Sequence, residues 1–164
     1  YDEEIIFIIT VIIITDNEGR KMGETLSRLT MTGLLFLHVA LLVWALTGLA
    51  EWIFGAVPWP AVANPLFPRP MLLAHWLSVA VTACIFLAGY ALRWPGTPLA
   101  VAAGYAAMAT VCLIETTQYL VHDARWLAMG LEYAAYLGIG FYLFRSAHAQ
   151  AVFGGTGGLA GTSG

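Results

Sequence analysis

Four stretches of about 20 residues each are long and apolar enough to cross the hydrocarbon core of a bilayer as helices. They run from Met31 to Glu51, Met71 to Leu92, Leu99 to Val121 and Trp126 to Phe144, and their interiors hold only His38, His75, Glu115 and Glu132 among acidic, basic and histidine side chains. In a bilayer the backbone must satisfy its own hydrogen bonds, so such runs fold as helices or not at all. The expected fold is therefore all-α: an integral membrane four-helix up-down bundle. A soluble alternative fails on composition. The chain is 60% hydrophobic and 10% charged, whereas soluble domains are about 45–50% apolar and about 25% charged.

The segments between the runs agree with this division. Pro58, Pro60, Pro65, Pro68 and Pro70 crowd the first connection, which is also rich in Trp and Phe, as at a membrane interface. Arg93-Trp94-Pro95-Gly96 is a turn signal, and the few residues from Val121 to Arg125 force the last two helices into a tight antiparallel hairpin. Arg20, Lys21, Arg28, Arg93 and Arg145 fall on one side of such a bundle, and only Arg69 and Arg125 on the other. Cytoplasmic loops carry the excess of Lys and Arg, so both termini are expected in the cytoplasm and the protein in the cell's inner (cytoplasmic) membrane. The acidic N-terminal stretch does not resemble the basic start of a cleavable signal peptide. The seven Lys and Arg are scattered, which gives no footprint for nucleic acid.

Three regions follow. Residues 1–28 form a cytoplasmic N-terminal segment, in which the β-branched run 5–15 reads as a strand or a membrane-surface segment. A lone strand is not stable, so it would need a partner chain. Residues 29–148 form the transmembrane domain, and residues 149–164 a flexible Gly-rich tail. Cys84 and Cys112 lie mid-run and read as small buried apolar residues, not as a disulfide. In the fourth run Gly130, Ala134 and Gly138 recur every four residues, a register that lets another helix approach closely. Glu132 is about 200° round the helix from Gly130, which places Arg125, Glu132 and Tyr136 on the opposite face.

Ionisable groups at membrane depth are costly and mark function by default. Up-down threading brings Glu51, His75, Glu115, Gln118, His122, Asp123, Arg125 and Glu132 to the outer third of the bundle. The hairpin is nearly symmetric about residues 123–124, so Glu115 and Glu132 share a depth, and His122 stands on the Glu115 face seven residues on. Three readings compete. His75, Glu115 and His122 are candidate ligands for a transition metal. Glu115 and Glu132 are candidate catalytic groups that divide a proton between them. Alternatively, Arg125 neutralises Glu132, Glu115 meets His122 or His75, and the cluster only locks the helices together. His38 lies about 140° from Glu51 round the first helix and cannot share that site.

The histidines give a further pattern, with His75 and His122 toward one membrane face and His38 and His148 toward the other. The segment Arg69-Pro70-Met71-Leu72-Leu73-Ala74-His75-Trp76, with its apolar run to Gly89-Tyr90, resembles the first haem-binding helix of four-helix membrane b-type cytochromes. The resemblance covers about 25 residues. It implies haem b held by His75; separately, a histidine inside a membrane helix is the usual axial ligand of haem or a chlorophyll-type pigment, which makes His38 and, by its placement, His122 further candidates in a small subunit of a redox or electron-transport complex. Its partners would be the lipid bilayer and other membrane subunits. The alternatives are a membrane-embedded enzyme using Glu115, Glu132 and His75 on a lipid-soluble substrate, and a purely structural or assembly subunit.

Overall fold

A computed structural model describes residues 2–54 and 67–154, with side chains from residue 22 onward. Every regular element among them is helical: α1 (Asp2–Phe54), α2 (Arg69–Leu92), α3 (Thr97–Ile114), a π turn (Glu115–Tyr119), α4 (Arg125–Arg145) and α5 (Ala147–Phe153). Four spans, Met22–Phe54, Arg69–Leu92, Thr97–Tyr119 and Arg125–Arg145, are long and apolar enough to cross a membrane. The chain is a multi-pass membrane protein. Large apolar side chains point outward along these spans: Phe36, Leu92 and Leu137 are each over 70% exposed. Water would not tolerate such a surface, but lipid does.

The expected strand at 5–15 is absent, because those residues lie inside α1. β-branched residues lose only about half a kcal/mol each in a helix, and extending a helix already formed needs no new nucleus. A solitary strand has no ladder partner to offset even that small preference. The Gly-rich tail also begins later than its expected start at 149. Ser146 caps α5, accepting from the Ala149 amide at 3.4 Å, and Ala149 and Phe153 are buried. Phe153 meets Phe86 and Tyr90 of α2, each at 6.4 Å between ring centroids. The remainder of the tail, 155–164, lies outside the described residues, as does most of the proline-rich connection.

The turn signals act as read. Pro70 occupies the first turn of α2, where its missing N–H costs nothing. The helix ends at Arg93, which takes a left-handed conformation (φ 49°). The Trp94 N–H then reaches the Gly89 carbonyl at 2.9 Å and the Arg93 N–H the Tyr90 carbonyl at 3.2 Å, a Schellman end. Two glycines set the helix spacing. A Cβ on Gly48 of α1 would overlap the Trp76 indole of α2, and one on Gly104 of α3 would stand 2.5 Å from Thr82 Oγ1.

The core lies where α1, α2, α3 and α5 meet, around His38, Phe86, Val101, Tyr105 and Phe153. At this end Ser27 of α1 contacts Ser146 at 2.8 Å and its carbonyl accepts from Tyr142 of α4 at 2.7 Å. The small-residue stripe of α4 does not pack as expected: a Cβ on Gly130 or Gly138 would meet nothing within 4 Å among the described residues. The opposite face turns inward, where Tyr133 donates to the Ala109 carbonyl at 2.7 Å and Tyr136 stacks on Tyr105 at 4.7 Å. Polar groups on α4 need partners in an apolar medium, and that requirement outranks close backbone approach.

Candidate functional site

α2 places His75 one turn from its start, facing the end of α3. There the helix widens into the π turn, in which the Leu120 N–H bonds the Glu115 carbonyl at 2.8 Å, five residues back. The Thr117 hydroxyl on this turn donates to the Leu113 carbonyl at 2.7 Å. Single π turns of this kind concentrate at functional sites. Glu115 is buried on this turn, and its Oε2 accepts from His75 Nδ1 at 3.0 Å. Among the described residues this is the one close contact between a carboxylate and a basic side chain. No hydrogen bond among them reaches the other ring nitrogen of His75, while the Trp44 and Trp76 rings stand nearly perpendicular to the imidazole with centroids 5.8 and 4.8 Å away.

A second carboxylate enters from α4. Glu132 accepts from the Cys112 thiol at 3.1 Å and from the Tyr136 hydroxyl. The expected Arg125–Glu132 ion pair is not formed. The Arg125 Nη1 donates to the Leu120 carbonyl instead, its guanidinium lies 5.3 Å from the Trp126 ring centre, and its Nε is enclosed without an acceptor among the described residues. At the start of α2, Arg69 donates to the Trp52 carbonyl at 3.1 Å. Trp52 Nε1 donates back to the Arg69 carbonyl at the same distance, which clasps α1 to α2.

These groups border one cavity of about 500 Å³, within the range of small-molecule sites. α1 contributes Trp44, Gly48, Glu51 and Trp52 to its wall, and α2 contributes Arg69, Leu72, His75 and Trp76. Cys112, Glu115 and Thr116 line a third side, and His122, Arg125, Met129 and Glu132 the fourth. Of the eight residues expected to converge, six lie on this wall. Gln118 and Asp123 do not, and both are exposed. His122 is on the wall but not on the Glu115 helix face, because the π turn shifts the phase and the helical turns end at Tyr119. Among the described residues no three His, Cys, Asp or Glu side chains converge closely enough to hold a metal ion, so the set His75, Glu115 and His122 is not assembled as ligands.

His38 lies apart, fully buried. Its Nδ1 is 2.7 Å from the Leu34 carbonyl, which can only accept, so this nitrogen carries the proton. Its Nε2 then accepts from the Tyr105 hydroxyl at 2.9 Å, and the ring stacks on Phe86 at 3.9 Å. Neither nitrogen is open to a haem or pigment metal. His148, on α5, is half-buried and does not line the cavity.

The sequence placed Tyr136 on the Glu132 face but gave no sign of Tyr105, and it offered Cys112 only as a small apolar residue, whereas its thiol bonds Glu132. Cys112 lies three residues before Glu115, one helical turn away on the same side, and that spacing was the available signal. Comparison of the chain with protein-family models, with curated proteins and with solved structures gave no match.

Proposed function

We propose that this protein is a membrane-embedded enzyme that performs acid/base chemistry on a lipid-soluble substrate held in the cavity. The observation that carries this reading is the His75–Glu115 pair at 3.0 Å in the wall of a largely apolar cavity of about 500 Å³. A carboxylate on one imidazole nitrogen fixes the tautomer and leaves the other nitrogen to take a proton, the arrangement used by general bases. In this scheme His75 removes a proton from the substrate and later gives it back at another position, Glu115 holds the imidazole and stabilises the imidazolium, and Glu132 is the second carboxylate that faces the substrate. Cys112 and Tyr136 hold Glu132 in place. The bundle is up-down-up-down with both termini on the cytoplasmic side of the inner membrane, in keeping with the charge distribution of the connections.

The test is comparative mass spectrometry of membrane lipids from cells expressing the wild type, Glu115→Gln or His75→Gln. The wild type changes the level of at least one lipid-soluble species, and both variants lose that change by about 100-fold or more. Identical profiles for wild type and Glu115→Gln would remove the acid/base role.

A second reading rests on the same histidine. Metal-bound imidazoles usually give their other nitrogen to a carboxylate, so the Glu115–His75 pair also suits a haem or chlorophyll-type pigment held by the free nitrogen, within a redox complex with other membrane subunits. A visible spectrum of the purified protein, oxidised and then dithionite-reduced, separates the two readings. A band lost in His75→Ala supports the cofactor.

A further inference from the structure

Two arginines at the edge of the cavity form no ion pair among the described residues. Arg69 is the first residue of α2 and Arg125 the first of α4, and both line the cavity. The partial positive ends of two helices therefore add to two guanidinium groups at one edge. Neither arginine forms an ion pair among the described residues. The chain holds ten Asp and Glu, and none lies in 55–66 or 155–164, so those segments cannot supply a countercharge. The carboxylates on the same wall are already engaged: Glu115 by His75, and Glu132 by Cys112 and Tyr136. Glu51 is the one cavity carboxylate outside these two sets.

Arg125 shows the need most directly. One arm of its fork is spent on the Leu120 carbonyl and its face lies toward Trp126, while Nε is enclosed and lacks an acceptor. A guanidinium always carries its charge and presents its donors in a planar fork matched to carboxylate or phosphate oxygens. Nε is closed off from the cavity, so a ligand oxygen would take the arm of the fork not spent on the Leu120 carbonyl. Arg69 is held in place by the Trp52 carbonyl and stands 5.5 Å over the Trp52 ring, so it is positioned without being neutralised. Trp44, Leu72, Trp76 and Met129 supply apolar surface to the rest of the wall, which Glu51, Thr116 and His122 share.

We infer that the substrate is an acidic amphiphile, with a carboxylate or phosphate head seated on Arg125 and Arg69 and a hydrocarbon body among the tryptophans, its reacting atoms beside His75. This assignment rests on the cavity being a substrate site, as proposed above.

The test is titration of the purified full chain in non-ionic detergent, read by tryptophan fluorescence, since Trp44, Trp52 and Trp76 all line the cavity. The probes are oleate, oleyl alcohol, oleylamine and inorganic phosphate. Oleate binds saturably and at least tenfold more tightly than the alcohol or the amine, and inorganic phosphate alone gives no change. Arg125→Gln weakens oleate about tenfold or more, and Arg125→Lys, which keeps the charge without the fork, falls between. Equal affinity for oleate and oleyl alcohol overturns the assignment, as does preference for oleylamine, which would make Glu51 the selecting group. Tighter binding of phosphate than of oleate also overturns it, because the site would then serve a soluble anion. These comparisons use the wild type, so a variant that fails to fold leaves them intact. Oleate binding that depends on Arg125, with lipid profiles unchanged by Glu115→Gln, keeps the head-group site and removes the acid/base reading. The converse pair of results keeps the chemistry and removes the acidic head.

Discussion

His38 and His75 stand on neighbouring helices of one bundle, yet their surroundings are opposites. His38 is fully buried, with both nitrogens bonded and a phenylalanine stacked on its face. His75 is bonded on one nitrogen and borders a cavity of about 500 Å³. The first end of the bundle is closed by α5, whose Phe153 fills the space beside Phe86. At the second end the Trp52–Arg69 clasp and the Trp76 indole set over Gly48 join α1 to α2, while the π turn ends α3 and the cavity lies between them and α4. The difference teaches that a polar residue at membrane depth is not a site by itself. It becomes one when its remaining valences face space instead of protein.

If that division is right, substitutions at the closed end damage stability first and those at the cavity end damage chemistry first. The largest effect is expected from Phe86→Ala, which removes a fully buried ring and should cost about 3–5 kcal/mol, read as thermal unfolding in detergent. A loss below about 1 kcal/mol would mean that the closed end is not close-packed. Next, Tyr105→Phe strips His38 Nε2 of its donor. Leaving that acceptor unmet should cost about 1–3 kcal/mol, with no effect on lipid turnover. Altered turnover at unchanged stability would join His38 to the cavity and break the comparison.

Glu115→Gln at the other end keeps the shape of the side chain and should shift unfolding by about 1 kcal/mol or less, while abolishing turnover and leaving oleate affinity intact. A large stability loss with normal turnover would make the His75–Glu115 pair structural glue, like His38. The smallest effect concerns neither end's chemistry. Arg93 holds a left-handed conformation that favours glycine, so Arg93→Gly should raise stability by about 1 kcal/mol without touching turnover or oleate binding. A fall in stability would show that the Arg93 side chain has a role beyond the turn.

Much of this molecule is legible one residue at a time. The four spans, the turn at 93–96 and the tight link before α4 follow from apolar run length, proline and glycine, because in lipid each helix satisfies its own backbone. The gathering of Glu51, His75, Glu115, His122, Arg125 and Glu132 at one end also follows, because helix length and alternation fix depth. Depth is not partnership, however. The pairing of Glu115 with His75 and not His122, of Glu132 with Cys112 and Tyr136 and not Arg125, and the inward turn of the Glu132 face each depend on how helices rotate against one another. That rotation is set by where Gly48 and Gly104 permit close approach and by where a π turn adds a residue to the count. The sequence by itself determined that four helices cross a membrane and which polar groups share a level. Only the tertiary structure decided which of those groups meet, because a hydrogen bond needs about 3 Å and a defined direction, and a one-residue shift in helical phase moves a side chain by about 100°.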